Sequence, residues 1–303
     1  MNALRNYLDK IKPNFEEGGK YHAFRSVFEG FETFLFVPNA TSKTGTHIHD
    51  AIDSKRIMSF VVIALMPALL FGMYNVGYQH FHATGAEGSF IEMFGYGFLA
   101  VLPKIIVSYV VGLGIEFIVA QWKKEEIQEG FLVTGMLIPM IVPVDCPLWM
   151  LAIATAFSVI FCKEVFGGTG MNVFNPALIT RAFLFFAYPT KMSGDTVWVS
   201  GDSIFGLGKT VDGLTAATPL GVAKVAECPA FSWDMVTGLI PGSIGETSVI
   251  AIAIGAVILL WSGVASWKTM LSVFVGGALM GWVFNTWGPD TAIAHMPWYE
   301  HLC

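Results

Sequence analysis

The chain has 303 residues, a formal net charge of −6, and 54% hydrophobic against 13% charged residues. Soluble domains carry about 25% charged residues, so the composition excludes an ordinary water-soluble domain and points to an integral membrane protein. No stretch is basic enough for a nucleic-acid surface. Cys146, Cys162, Cys228 and Cys303 stand singly, which excludes a zinc or iron–sulfur centre built from this chain alone and a disulfide framework.

Residues 1–55 are polar and lack the early apolar core of a signal peptide. Leu4, Tyr7, Leu8 and Ile11 recur at helical spacing, so the chain opens with a short amphipathic helix. The first span is Ile57–Val76, long enough to cross a hydrocarbon core. A second apolar region, Met93–Trp122, contains Pro103-Lys104. Proline removes a helix hydrogen bond, so the crossing is expected after that break and the first part at the interface. Residues 131–161 hold Pro139, Pro143 and Pro147. They are too many for one comfortable span and few for two, and they read as a hairpin turning at Asp145-Cys146-Pro147. Val173–Tyr188 is a short span. Residues 189–247 form an extramembrane insert, and Ser248–Trp261 and Thr269–Thr286 are two more spans.

The expected fold is therefore an all-α polytopic membrane protein, a helical bundle with short or broken helices. An N-terminal extension (1–55) precedes a bundle of about five spans (56–188), the insert (189–247) and two further spans within 248–303. Broken backbone is tolerated in a membrane only around a buried ligand or a wet cavity, so binding sites are expected there. Lys55, Arg56, Lys123, Lys124, Lys163 and Lys268 fall on one side if seven spans alternate. The positive-inside rule makes that side, and the N-terminus, cytoplasmic and the insert periplasmic.

Gly206-Leu207-Gly208-Lys209-Thr210 resembles the end of a phosphate-binding loop, but Ser203 stands where that motif needs its first glycine. His47/His49 and His80/His82 lack further ligands and read as solvated loop residues, so no metal site is expected. Three other stretches carry more chemistry. In Asp212-Gly213-Leu214-Thr215-Ala216-Ala217-Thr218-Pro219-Leu220, Thr218 suits an N-cap and Pro219 a first helical position. A phosphate held there would face the positive end of the helix dipole. In Lys163–Leu178, glycines allow tight turns, and Asn172 and Asn175 are three apart, so on a starting helix they share a face. Their amides offer both donor and acceptor to a planar heterocycle, or a helix cap and a helix–helix bond. In Gly112-Leu113-Gly114-Ile115-Glu116, small residues admit a neighbouring helix or a flat ligand. An intramembrane carboxylate is a functional candidate by default, with Lys104 or Arg181 as structural partners in the competing explanation.

These stretches, together with Lys55-Arg56-Ile57-Met58, Gly72-Met73-Tyr74-Asn75, Lys163-Glu164-Val165-Phe166-Gly167-Gly168-Thr169-Gly170 and Asn175-Pro176-Ala177-Leu178, carry a resemblance. So do Arg181–Pro189, Ile240-Pro241-Gly242-Ser243-Ile244-Gly245-Glu246, Ala265-Ser266-Trp267 and Met296-Pro297-Trp298. Along essentially its whole length the chain resembles the B subunit of the bacterial sodium-translocating NADH:quinone oxidoreductases. The D subunit of the Rnf electron-transport complex is similar from the first span onward, without the extension at 1–55.

The resemblance implies FMN joined through its phosphate to Thr218 by a flavin transferase, with Thr215, Ala217 and Pro219 in the attachment motif. It implies riboflavin held without a covalent link near Asn172 and Asn175. It associates a quinone or ion-path site with Gly112, Leu113 and Glu116, Leu113 standing where some relatives have glycine, and it assigns no catalytic side chain. The implied partners are the A, C, D, E and F type subunits, ubiquinone or menaquinone, the lipid bilayer and transported Na+. The implied location is the bacterial inner membrane. Members of the family continue for several spans beyond the Met-Pro-Trp block, so a C-terminally shortened product is expected. Two alternatives stay open: a ferredoxin-linked Rnf-type subunit, and a non-redox transporter whose broken spans bind a solute.

Overall fold

The computed structural model describes residues 2–15, 19–21, 24–36, 44–46, 52–123, 130–194, 197–199, 217–219, 221–222 and 232–288. Among the described residues the regular structure is helical. Two short helices, α1 (Asn2–Ile11) and α2 (Arg25–Leu35), precede the bundle. Stacked Phe15 and Phe28 rings and a Lys12–Glu32 ion pair at 3.0 Å tie the turn that follows α1 to α2.

Helix α3 (Ser54–Thr84) and helix α4 (Phe90–Lys123) are both long and apolar enough to cross a membrane. Gly85, at φ +67°, ends α3 in a left-handed cap that a Cβ would oppose. The hairpin then closes within a few residues, with Glu92 accepting from the Ser89 N–H at 2.8 Å. The expected break at Pro103-Lys104 does not occur: α4 runs through it unbroken. Packing compensates for the missing bond, because the stretch before Pro103 is pinned to α3. An added Cβ at Gly97 would fall on the Met73 carbonyl, and one at Gly77 on the Met93 carbonyl. Ala100 and Val101 are buried in the same contact.

Helix α5 (Phe131–Ile141) is too short to cross. A non-helical segment, 142–147, follows, with the Cys146 N–H bonded to the Pro143 carbonyl. Helix α6 (Leu148–Ser158) continues through a wider π turn (Val159–Lys163) and a tight turn (Glu164–Phe166). Together these make a spanning helix, and the break falls where the hairpin turn was expected. Helix α7 (Pro176–Ala187) starts three residues later than the expected span, because Asn175 caps it through the Ala177 N–H at 2.9 Å. The one-turn helix α8 (Pro189–Met192) follows. After α9 (Trp233–Thr237) come α10 (Val249–Trp261) and α11 (Trp267–Trp287), close to the two predicted spans. Outward-facing Val257, Trp261, Val273 and Phe284 give these last helices a lipid-compatible surface.

The end of the expected extramembrane insert packs inside the bundle. Asn75 on α3 donates to the Ile240 carbonyl at 2.9 Å, and the Ile244 backbone fills the space left by Gly72. The Gly245 N–H bonds to the Met140 carbonyl at 2.9 Å, at the end of α5. Ser243, Ile244, Thr247 and Ser248 are buried. Ile244 thereby joins one apolar core with Leu69, Met73, Val101, Met140 and Ala251. A second core joins α5, α6 and α7 through Phe131, Ile138, Leu151, Ala154 and Leu184. The chain is a multi-pass membrane protein: among the described residues, four helices are long and apolar enough to span, and three shorter apolar helices pack among them.

Candidate functional site

At the end of the bundle where α3 begins and α4 finishes, a cavity of about 300 Å³ opens between α3, α5, the π turn and the loop before α7. That volume is at the lower end of ordinary small-molecule pockets. Met58, Val133, Leu137, Val173, Phe174 and Pro176 form its apolar wall. Thr134, Lys163, Thr169, Asn172 and Asn175 supply polar groups, and Gly130 approaches so closely that a Cβ would meet the Thr169 side chain at 2.6 Å. A flat, mainly uncharged ring with N–H and C=O edges fits such a donor set.

The two asparagines line this cavity but do not share a helical face. Asn172 lies in the turn before α7, where it accepts from the Gly170 N–H at 3.2 Å and donates to the Phe174 carbonyl at 2.9 Å. Its amide thus shapes its own loop. The glycines at 167, 168 and 170, all at positive φ, set that loop's path and keep α7 from starting earlier. Asn175 uses its carbonyl oxygen for the helix cap, and its amide nitrogen makes no hydrogen bond among the described residues.

Glu116 is buried on α4, with 4% of its side chain exposed, and its partner is neither Lys104 nor Arg181. It pairs with Lys163, whose side chain is equally buried and whose ammonium also sits over the Phe131 ring at 6.0 Å. Removing two charges from water is costly, and a close pair with further hydrogen bonds is what offsets it. The second Glu116 oxygen, Oε2, has no hydrogen-bond partner among the described residues. Lys163 belongs to the π turn, a rare geometry found mostly as single turns inside α-helices and frequently at functional sites. In the sequence Lys163 stands as a basic residue at a span end and as the first residue of the Lys163–Leu178 stretch, with no partner indicated. The signal was present: Lys163 directly follows the apolar run Leu148–Cys162, so it stays close to the apolar core.

The other expected site residues are distributed differently. The space over Gly112 is taken by the Phe131 ring, so this glycine serves helix packing, whereas no described atom comes near the Cβ position of Gly114. Leu113 is half-buried against the second core. Arg181 pairs with Glu246 at 2.9 Å, and Lys104, only 1% exposed, bonds the Ala100 carbonyl within electrostatic reach of Asp145 and Cys146. Thr218 is half-buried and accepts from the Gly221 N–H at 3.1 Å, while its carbonyl accepts from the Val222 N–H. With Pro219 following, this is the expected cap geometry, and it leaves the threonine hydroxyl hydrogen uncommitted among the described residues. Ala217 and Pro219 flank it and are half-buried. Thr215, the loop at 206–210, His47, His49, Cys228 and Cys303 lie outside the described residues. His80 and His82 sit on α3 rather than in a loop, His80 stacked on Tyr96 at 4.0 Å, and no metal-binding group occurs among the described residues.

Residues 41–303 match the model of the NQR2, RnfD, RnfE family. The B subunit of the Na(+)-translocating NADH-quinone reductase of Chromohalobacter salexigens is 41% identical over 99% of this chain and 77% of its own length. Those of Azotobacter vinelandii and Pseudoalteromonas atlantica are 40% and 39% identical, each over 99% of this chain and 79% of their own. With a family model covering most of its length and relatives of this identity end to end, the chain belongs to the NQR2, RnfD, RnfE family.

Proposed function

We propose that this chain is the membrane redox subunit of a sodium-exporting NADH:quinone oxidoreductase in a bacterial inner membrane, assembled with A, C, D, E and F type subunits. The observation that carries the reading is the likeness, over 99% of the chain, to proteins named as the B subunit of that complex. The same likeness favours this reading over a ferredoxin-linked subunit or a non-redox transporter. The basic residues at the span ends support a cytoplasmic N-terminus, with the Lys163 cavity near the inner face and Thr218 outside.

FMN and riboflavin supply one- and two-electron chemistry when bound, and the protein supplies position and polarity. Thr218 holds the FMN phosphate by ester linkage through its uncommitted hydroxyl, made by a flavin transferase. The ester oxygen keeps its acceptor contact with Gly221, so attachment does not require the cap to open. Ala217 and Pro219, and Thr215 before them, shape the loop that presents it. The cavity lined by Asn175, Thr134 and Thr169 holds riboflavin, with Asn172 fixing the loop that forms one wall. Glu116, through its Oε2, which has no hydrogen-bond partner among the described residues, is the polar contact for ubiquinone or menaquinone, or for an ion on its path, beside the Gly112–Gly114 stretch.

The test is intact mass and in-gel flavin fluorescence of the chain co-expressed with a flavin transferase, beside Thr218→Ala. A flavin-phosphate adduct and fluorescence in the parent, both lost in the variant, are expected. Absence of an adduct from the parent despite an active transferase would return Thr218 to a helix cap and favour the transporter reading.

A further inference from the structure

The cavity and the Glu116 region were expected as separate sites, yet they share one residue. Lys163 lines the cavity wall, and Glu116 does not. On its other side the Lys163 ammonium contacts Glu116 and faces Phe131, whose ring packs over Gly112. The cavity and the α4 stretch of Gly112 and Glu116 are thus separated by a single buried ion pair.

The local fold explains why the lysine reaches both. A regular α-helix through residues 159–163 turns by 3.6 residues, whereas the π turn is wider and shifts the positions that follow it around the axis. Lys123 and Glu164 pair at 3.7 Å just beyond, so the ends of α4 and α6 are clamped together and the lysine is held between them. Among the described residues, its buried ammonium has one carboxylate as counter-charge, and that carboxylate has one oxygen without a partner. The contacting counter-charge of the ammonium is therefore that single carboxylate, with the Lys123–Glu164 pair lying just beyond it.

We propose that Lys163 is the charge-compensating residue of the cavity: it stabilises the negative charge a bound flavin gains on reduction, while Glu116 tempers it from the opposite side. This rests on the reading that the cavity holds a non-covalent flavin. Electrons come from the complex's NADH-linked donor and pass on to quinone, so Lys163 itself is neither oxidised nor reduced. It sets how favourable the reduced state is. The arrangement also makes the cavity and Glu116 sensitive to each other, because any ligand that draws the carboxylate away leaves the ammonium less neutralised toward the flavin.

The geometry gives the two charges opposite signs of effect, which a purely structural pair would not have. Removing the near positive charge in Lys163→Gln disfavours the reduced flavin by about tenfold, equivalent to about 59 mV lower for one electron. Removing the negative charge in Glu116→Gln shifts the potential upward by a smaller amount, since Glu116 stands outside the cavity wall. Lys163→Arg keeps the parent value. The experiment is a redox titration of the assembled complex carrying each variant, with non-covalent flavin extracted by acid and quantified in parallel.

Opposite shifts in the two glutamine variants, with the arginine variant unchanged, establish the assignment. Flavin present at parental content with neither potential moved, or with both moved the same way, overturns it. If Lys163→Gln does not assemble, Glu116→Gln alone decides: an upward shift supports the assignment and no shift overturns it. A parent complex that yields no extractable non-covalent flavin instead overturns the cavity reading itself, so the two failures are distinguishable.

Discussion

Val133-Thr134-Gly135-Met136-Leu137-Ile138-Pro139 and Val236-Thr237-Gly238-Leu239-Ile240-Pro241 are nearly the same words, yet they fold differently. In the first, Gly135 is an interior residue of α5, and the helix continues through Pro139 to Ile141. In the second, Gly238 ends α9 at φ +97°, and Leu239 to Ser248 run on without a regular helix. The two segments travel in opposite senses along α3. The first starts at the cavity beside Met58 and ends with Met140 bonded to Gly245. The second meets Asn75, then Gly72, and its following helix places Gly255 against Ala64. The residues after each motif decide the outcome. Met-Ile-Val after Pro139 is apolar and extends a buried helix, whereas Gly-Ser-Ile-Gly-Glu after Pro241 favours a turn whose polar groups bond one another, as Ser243 does with Glu246. A shared local pattern thus yields a half-helix in one place and a folded loop in the other, and the two meet at the centre of the bundle.

The largest effect is expected where the second segment is seated. A side chain at Gly72 would fall on the Ile244 carbonyl, which is backbone on both sides and cannot swing away. Gly72→Val should therefore abolish accumulation of the folded chain, read by detergent-solubilised yield and fluorescence-detected size exclusion. Normal yield would mean that Ile244 is not packed against α3. A smaller effect tests the twin glycines directly. Gly238→Ala forces alanine into a left-handed conformation, at about 1–2 kcal/mol, and its Cβ would stand 2.6 Å from the Ser248 Cα. Gly135→Ala has the rings of Tyr109 and Phe131 as its nearest neighbours, at 2.8 and 3.0 Å, side chains that can shift where backbone cannot, and gains up to about 1 kcal/mol of helix propensity. Thermal unfolding in detergent should show a clear loss for Gly238→Ala and a much smaller change for Gly135→Ala. Equal losses would show that the two motifs place the same demand on glycine.

The sequence exposed much of this architecture because apolar runs and caps are local. Thr218 before Pro219 and Asn175 before Pro176 could be read as helix starts, and the Asp145-Cys146-Pro147 turn followed from counting apolar residues between prolines. The features that escaped depended on partners far along the chain. Pro103 lies within a continuous helix because Gly77 and Gly97 let α3 and α4 approach closely just before the proline, a contact no local window contains. Residues 240–247 read as external because their composition is that of a loop, yet their backbone polar groups find Asn75 and Met140. Lys163 was hidden by its neighbours: at the end of an apolar run it looked like a basic anchor, and only the fold brings Glu116, 47 residues earlier, against it. The motif twins are a repeat in the sequence, but repetition does not reveal which copy stays helical.

The smallest expected effect lies at the helix restart after each segment. Ser248 caps α10 by accepting from the Ala251 N–H at 3.3 Å, whereas α6 begins after Pro147 with no side-chain cap. N-cap replacements by alanine cost about 0.5–2 kcal/mol, and a bond of this length belongs to the low end. Ser248→Ala should lower the unfolding midpoint slightly, with assembly intact. In the first segment, Pro147→Ser offers the missing cap but releases the fixed φ that proline gives the unfolded chain, worth about 0.4–1 kcal/mol. The two contributions nearly cancel, so its midpoint should stay close to the parent. Pro147 also sits at φ −60° and ψ 137°, a conformation that serine adopts without strain, so no backbone penalty disturbs the comparison. A marked loss in Pro147→Ser would mean that rigidity before α6 does what the hydroxyl does before α10. The two restarts would then be stabilised by different means at similar strength.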